Sequence, residues 1–566
     1  MVTTKIPDKF KSDNKAVFPW LLERVKPYRL RIALLVVFNI ISSLLVAVNA
    51  YVSKALMDTA VAGDRQKLTQ ISIAVIAVLV FQLFLRLAHN LTDTRLRLDM
   101  ETDFRSYFIR NLFDKDYLKI TSYHSGDLMT RLTNDTNAVI NGLVSIVPNT
   151  VGFALRIVVA FVSLCFLDKR LAFAFSGIGL AIFFGTRLFR KFFKDMYHKA
   201  QTAESAVRSF SQEIITNLLV VSVFDAADDV TKKEDELLKD SADIRWYRTK
   251  VYSGAGAVLS LGMRGAYMLV CIFCAFKLLA NTITYGTITA ILQLVNQLQT
   301  PFRSLSGVMP AYYQLLASSE RILEVISIEG EEEVTEKCDV ESFYSSLNSV
   351  DFDGISFSYG NDDVLENTSL SLKKGEFAAI TGISGIGKST MMKMMLGVLH
   401  PSEGTVHFNT ENGEFVPGKK YRNLFSYVPQ GNMLLSGTIY ENITFMSPDK
   451  TEEEIKEAIR LSCSEEFINE LPDGLDTVIG ERGRGLSEGQ VQRLAIARAI
   501  LHGAPIILLD EATSALDEAT EEKVLSNIRS IEGITCVIVS HKRAALAVCD
   551  KEIRIENKKF YVNDLR

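Results

Sequence analysis

The chain has no excess of basic residues. It carries 62 Lys and Arg against 67 Asp and Glu, for a formal net charge of −5. That balance argues against a general nucleic-acid binder, since such proteins are usually basic. Cysteine is scarce and scattered, with seven residues at 165, 271, 274, 338, 463, 536 and 549. An odd, dispersed set points to reduced thiols rather than a disulfide framework. Cys271 and Cys274 form a C-x-x-C inside an apolar run with no second pair, which speaks against a metal or redox site. No cleavable signal peptide is read at the start, where the first 16 residues are polar and include Lys5, Lys9, Lys11 and Lys15. Nothing reads as an added peptidase or extracellular domain.

Hydrophobicity is abundant and unevenly spread. Hydrophobic residues make up 48% of the 566, and the mean hydropathy of +0.15 is high for a soluble protein. The length exceeds one core, so several units are expected. Long apolar segments run to about residue 320, and after about 350 the chain reads as soluble α/β. An interfacial helix is expected near Phe18 to Lys26. Spans follow at roughly 30–57, 70–89, 138–167, 171–188, 252–280 and 286–309. Each is near the ~20 residues that cross a bilayer.

Positive charge sets the orientation. Arg24, Lys26, Arg29 and Arg31 precede the first span. Arg95, Arg97, Arg105 and Arg110 follow the second, and Arg187, Arg190, Lys191 and Lys194 follow the fourth. These sides are expected in the cytoplasm, which places both termini there. The opposite connections, at Gly63-Asp64-Arg65, Asp168-Lys169-Arg170 and Asn281-Thr282, are short. Two polar excursions, about 90–137 and 189–250, are poor in Gly and Pro and read as helices extending beyond the membrane. Arg86, Arg156 and Arg264 fall inside spans. Such residues are costly in lipid and often face a cavity; snorkelling or pairing with another helix is the plainer reading. The acidic run Glu329-Gly330-Glu331-Glu332-Glu333 reads most simply as a solvated linker.

The second half centres on Gly382-Ile383-Ser384-Gly385-Ile386-Gly387-Lys388-Ser389-Thr390, which fits G-x-x-x-x-G-K-[ST]. Phe377-Ala378-Ala379-Ile380 before it reads as a buried strand, and Ser389 to Leu399 as a helix. Glycines let successive N–H groups point into one concavity, and the helix N-terminus adds positive charge. Lys388 would meet the outer phosphates, and Ser389 would hold Mg²⁺. The plain alternative is a Gly-rich surface turn.

Downstream, apolar runs end in chemistry. Ile506-Ile507-Leu508-Leu509 delivers Asp510 and Glu511, as a buried parallel strand delivers carboxylates at its C-terminal end. Asp510 would hold the metal and Glu511 would polarise the attacking water. Val537-Ile538-Val539-Ser540 ends in His541, read as a γ-phosphate contact, although a lone His is usually structural. Gln430, after Tyr427-Val428-Pro429, would reach the metal or the water. Leu486-Ser487-Glu488-Gly489-Gln490 opens a helical run from Val491 to Leu501 and suits a second phosphate contact. Tyr359 is either a base-stacking aromatic or an ordinary strand-end residue.

Taken together, the chain resembles an ABC transporter half of the exporter type, with the membrane domain ahead of the ATPase. In the second half the resemblance rests on Tyr359, GISGIGKST, Tyr427-Val428-Pro429-Gln430, Gly437 to Ile443, Ile479 to Gly483, LSEGQ, ILLDE, Ser514-Ala515-Leu516-Asp517 and Ser540-His541. In the first half it rests on Ser125 to Asp135, Gly286, Gln297 to Pro301 and Glu320-Arg321. It implies a bundle of six long transmembrane helices followed by a P-loop α/β ABC ATPase domain. The expected division is 1–324 membrane, 325–349 linker and 350–566 ATPase.

The resemblance further implies ATP and Mg²⁺, with Tyr359 stacking on adenine and Ser389, Gln430 and Asp510 at the metal. Catalysis falls to Glu511, His541 and Gln430. It also implies a second ABC half-transporter chain, as homodimer or heterodimer, with Ser487, Glu488, Gly489 and Gln490 acting on the partner's ATP and Gly480 to Gly483 touching the partner's excursion. The lipid bilayer and an unknown lipid, drug-like compound or peptide complete the partners. The expected location is a prokaryotic inner membrane.

Three departures stand out. Glu488 replaces the usual Gly of the signature. No Gly-x-His follows Phe560. Asn409 to Lys420 lacks the usual D-G pair. Competing readings are an exporter-shaped importer of metal chelates and a nucleotide-regulated gating module. Intact Lys388, Asp510, Glu511 and His541 favour hydrolysis.

Overall fold

The computed structural model describes residues 14–566 except 332–333, 335, 361, 432–433, 446, 448, 481–482 and 484. Side chains at 14–15, 175–176, 178–191, 193–194, 197–198, 259 and 299–310 are outside the description as well. The expectations placed on Glu481-Arg482, on Arg187, Arg190, Lys191 and Lys194, and on Thr300-Pro301 therefore lie outside the described residues. The chain divides into two units. One joins Met1–Asn111 to Ser125–Ser327, and the other joins Leu112–His124 to Ile328–Arg566.

The first unit contains six long helices: α1 (Arg29–Ala62), α2 (Arg65–Phe113), α3 (Thr136–Leu167), α4 (Lys169–Thr216), α5 (Ala227–Leu279) and α6 (Tyr285–Ile326). Among the described residues, four helical stretches are long and apolar enough to cross a membrane: 16–62, 65–113, 125–167 and 227–279. The other two expected spans lie on α4 and α6, largely over side chains outside the description. At ~1.5 Å per residue, the 49 residues of α2 exceed twice the ~30 Å hydrocarbon layer. Such a helix must continue into water, as its polar second half requires.

Apolar side chains from α1, α3, α5 and α6, with the start of α4, form the packed centre of this unit. They include Val46, Leu164, Leu171, Val270, Ile291 and Leu294. Cys274 is fully buried there, which gives it a packing role. Close approach of α1 and α6 depends on Gly286. Its N–H donates to Asp58 Oδ1 at 2.9 Å, and a Cβ at that position would lie 2.1 Å from the Lys54 carbonyl oxygen. The N-terminal helix Asn14–Val25 rests on α2, with Trp20 edge-on to Phe104 and Arg24 over the Tyr107 ring. Arg86 and Arg264 are exposed, whereas Arg156 is partly buried and its Nε makes no hydrogen bond.

The excursions are helical with defined breaks. Arg131–Asp135 forms a single π turn, a local widening often found at functional sites. Asp127, Arg131 and Asp135 meet Ser318, Arg321 and Glu324 of α6. Arg131 pairs with Asp127 and Glu324, both at 2.9 Å, and Arg321 pairs with Asp127 at 2.7 Å and Asp135 at 3.3 Å. Ser318 donates to Asp135 at 2.8 Å. The second excursion breaks at Asn217 and Phe224 around a short helix, Leu218–Val223. Ile215, Leu218, Leu219, Val223 and Phe224 are all exposed there.

The second unit carries two main sheets. Strands β1 (Leu347–Tyr359), β2 (Asp362–Lys373), β4 (Glu403–Thr410) and β5 (Gly413–Phe415) form an antiparallel sheet in the order β2-β1-β4-β5. The other sheet contains β3 (Phe377–Thr381), β6 (Phe425–Val428), β7 (Ile506–Asp510), β8 (Thr535–Val539), β9 (Lys551–Glu556) and β10 (Lys559–Asp564). Its order is β10-β9-β3-β8-β7-β6, parallel except for β10. Every residue of β3, β7 and β8 is buried, so these strands read as unbroken apolar runs rather than alternating ones.

The acidic run is not simply solvated. Glu331 takes two hydrogen bonds from the Arg422 guanidinium, at 2.8 and 2.7 Å, and Glu329 pairs with Lys119 at 2.5 Å. Bidentate geometry holds Glu331 in place, whereas Glu329 stays exposed as a solvated run would, and Glu332-Glu333 lie outside the described residues. Leu112–His124 belongs to this unit. Asp114 pairs with Lys419 at 2.6 Å, Lys115 bridges Gly330, and Leu118 packs against the sheet core.

Candidate nucleotide site

Four adjacent parallel strands deliver the site. β3 runs into the glycine loop, β6 into Gln430, β7 into Asp510 and Glu511, and β8 into Ser540 and His541. Because the strands are parallel, these loops all emerge at one edge. The loop needs its glycines. Gly382 has φ 144° and Gly387 has φ 112°, values that L side chains rarely adopt, and a Cβ at Gly387 would sit 2.6 Å from Val364 Cγ1. Helix α7 (Lys388–Met395) follows, shorter than the expected run to Leu399 because Gly397 turns left-handed at φ 60°.

Lys388 is buried. Its ammonium donates to the carbonyls of Gly382 at 2.8 Å and Ile383 at 3.1 Å and lies 3.3 Å from His541 Nε2. The cation is thus fixed over the loop before any phosphate arrives. Ser389 donates to Asp510 Oδ1 at 3.0 Å, and Tyr427 donates to Oδ2 at 3.2 Å. Burial pushes the Asp510 carboxyl above its ordinary range, against the opposing pull of these two donors. Gln430 donates to Glu511 Oε2 at 2.7 Å. Glu511 itself has φ 52°, a left-handed backbone that costs a non-glycine residue energy. Tyr359 is 41% exposed, edge-on to Phe357, with its hydroxyl 3.3 Å from Thr390 Oγ1. Ser384, Gly385 and Ile386 complete the loop.

The donor set fits Mg²⁺. Ser389 and Asp510 present hard oxygen donors side by side, and Gln430 and Glu511 lie on the neighbouring loops. Ser389 and Asp510 would hold the ion, which would offset the negative charge of the phosphates.

Ser487–Gln490 is a separate constellation at the start of α8 (Glu488–His502). Ser487 caps the helix: its Oγ accepts from Gln490 N at 3.3 Å, and Gln490 Oε1 accepts from Ser487 N at 2.8 Å. Glu488 is exposed beside them. These residues, with Arg493, Ala515, Asp517 and Thr520, line an open pocket of about 420 Å³. Sequence reasoning missed its support. Gln492 donates to Ser514 at 2.9 Å and accepts from Ala515 N at 3.0 Å. Lys542 donates to the Thr513 and Leu516 carbonyls at 3.0 and 2.7 Å and pairs with buried Glu521 at 3.2 Å. The Ser514–Asp517 loop is therefore held from two sides. The position of Gln492, one turn into α8 from Ser487, was the available signal.

A family model described as "ABC transporter transmembrane region" matches residues 32–302, and one described as "ABC transporter" matches residues 365–514. The chain belongs to the ABC transporter family. A probable ABC transporter ATP-binding/permease protein of Haemophilus influenzae is 38% identical to this transporter chain over 260 residues. That match covers 45% of this chain and 46% of the relative, so the chain spans about half of that protein's length. An ATP-dependent lipid A-core flippase of Desulfotalea psychrophila is 25% identical over 549 residues, 96% of each chain. A solved bacterial Atm1-family ABC exporter with ATP bound superposes with a TM-score of 0.78, covering 95% of both chains at 21% identity. At that identity the likeness is one of fold.

Proposed function

We propose that this ABC transporter chain is one half of an ATP-driven exporter. The observation that carries this reading is the convergence of Lys388, Ser389, Gln430, Asp510, Glu511 and His541 on one sheet edge, in a chain that also holds membrane-length helices. In this reading Lys388 and the loop N–H groups hold the outer phosphates, and Tyr359 stacks on the base. Ser389, Asp510 and Gln430 face Mg²⁺. Glu511, aimed by Gln430, takes the proton of the attacking water, and His541 contacts the γ-phosphate. Residues 1–324 form the membrane part, 325–349 the linker and 350–566 the ATPase.

Two chains are required. Ser487–Gln490 lines an open pocket, and the exposed apolar tip at Ile215–Phe224 is the kind of surface that protein contact covers. We assign the second ABC chain to both surfaces, with each ATP lying between one chain's Lys388 loop and the other's signature. The location that fits is a prokaryotic inner membrane, with both termini and the ATPase in the cytoplasm. The flippase and the multidrug efflux ATP-binding/permease protein of Mycobacterium tuberculosis (28% identical over 511 residues) make a lipid or drug-like amphipath the first cargo class to test.

The test is cargo movement in sealed proteoliposomes with the ATPase outside. ATP-dependent accumulation of a lipid or dye probe that is lost in Glu511→Gln supports export. Probe flux that needs only ATP binding, equal in Glu511→Gln, would replace export with gating.

A further inference from the structure

The stretch Tyr427–Gln430 holds both acids of the site: Gln430 bonds Glu511 and Tyr427 bonds Asp510. Only the first of these has a place in the mechanism above. Asp510 is 1% exposed, and among the described residues its two oxygens are divided between Ser389 and Tyr427. In the proposed function the Ser389 oxygen would also face the metal, whereas among the described residues the Tyr427 hydroxyl bonds Asp510. Tyr427 lies on the edge strand β6 directly opposite Leu508 of β7, so its reach to Asp510 is set by strand register.

A second contact bears on the same carboxylate. The helix Tyr117–Thr121 opens with Tyr117, whose ring lies 5.5 Å from the Lys393 ammonium. Leu118 packs against the same apolar core as Tyr427. Tyr117 thus holds the Lys393 ammonium, while its neighbour Leu118 shares a core with the strand that carries Tyr427.

We propose that Tyr427 is a positioning residue for Asp510, and that Tyr117, through Lys393 and Tyr427, sets how firmly Asp510 is held for the metal. This rests on Asp510 facing the metal of bound ATP. The chain runs from this segment directly into Ser125 and the π turn.

The test uses the full chain in nanodiscs on a Glu511→Gln background, loaded with ATP and titrated with Mn²⁺ by electron paramagnetic resonance. We expect Tyr427→Phe to weaken Mn²⁺ binding about tenfold or more, the loss of one hydrogen bond to a charged group. Fluorescent-ATP binding in EDTA and the melting temperature should not move. Tyr117→Leu should weaken Mn²⁺ binding about two- to threefold, and the double substitution should match Tyr427→Phe alone, as coupled residues do. An unchanged Mn²⁺ constant, an equal loss of metal-free nucleotide binding, or additive effects would overturn the proposal. If Tyr427→Phe does not fold, Tyr117→Leu alone decides: a shifted constant supports the relay and an unshifted one overturns it. Because this readout needs no turnover, a chain that binds Mn²⁺-ATP but does not hydrolyse it counts against the exporter reading and not against this one.

Discussion

Lys388, Ser389, Asp510 and Glu511 find their partners within one set of strand ends, whereas Ser487 and Gln490 cap each other and Glu488 is exposed beside them. The first constellation is rigid and needs only its ligand. The second is a capped helix end with a supported loop behind it and an empty face in front. In the proposed function such a chain holds a full phosphate loop and half of the closing wall, and association supplies the rest. The same contrast locates the unusual residue. Glu488 is on the open side, where a carboxylate costs the isolated chain little and costs a phosphate brought close to it more.

The sharpest way to break the comparison is at the closed constellation. Glu511→Gln should lower phosphate release in nanodiscs by ~10²–10⁴-fold, the range for losing a general base, while fluorescent-ATP binding persists. Retained turnover would move the chemistry elsewhere. Gln492→Ala comes next. It strips two hydrogen bonds from the loop behind the signature, at about 1–3 kcal/mol. Thermal unfolding should move to lower temperature, and ATP-dependent association of two chains should weaken with it. A drop in stability without weaker association would mean that the loop does not shape the open face.

Glu488→Gly tests the open side directly. Like charges ~4 Å apart interact by roughly 1 kcal/mol in water, so turnover of the chain on its own should rise by about fivefold. A fall in turnover would show Glu488 contributing to closure instead. The smallest effect belongs to Glu454, remote from both. Lys450, and then the Thr451 N–H and hydroxyl, hold its carboxyl at about 2, below the ordinary 4.5. A depressed pKa stabilises the fold above the ordinary value, and that contribution is lost as pH falls from about 4.5 through about 2. Glu454→Gln should shift thermal unfolding slightly at pH 7, and the difference should vanish in acid.

The site was legible because buried parallel strands leave little ambiguity. A five-residue apolar run ending in Asp-Glu or Ser-His announces where its last side chain must go. The membrane helices were legible from length and charge. What stayed hidden depends on pairing across long sequence distances. Nothing about Tyr117 or Lys119, in a polar helical stretch, tells of Lys393 or Glu329, since no periodicity encodes contacts so distant, the one between Lys119 and Glu329 spanning 210 residues. Arg131 and Arg321 were noticed as motif positions, but the pairs Arg131–Glu324 and Arg321–Asp135 arise only when the π turn meets α6. The acidic run misled because charge runs are usually solvated, and Glu331 has Arg422 instead. Gln492 and Lys542 lie beside conspicuous residues and carry no local pattern of their own.

Glu511 has a final consequence. Its left-handed backbone at φ 52° suits glycine or asparagine better than glutamate, by about 1–2 kcal/mol. Laboratory evolution that rewards heat tolerance while ignoring turnover should therefore collect replacements at this position early. The variants would be hardier proteins that no longer burn ATP. Breeding a robust form of this transporter means scoring labour alongside endurance in every round.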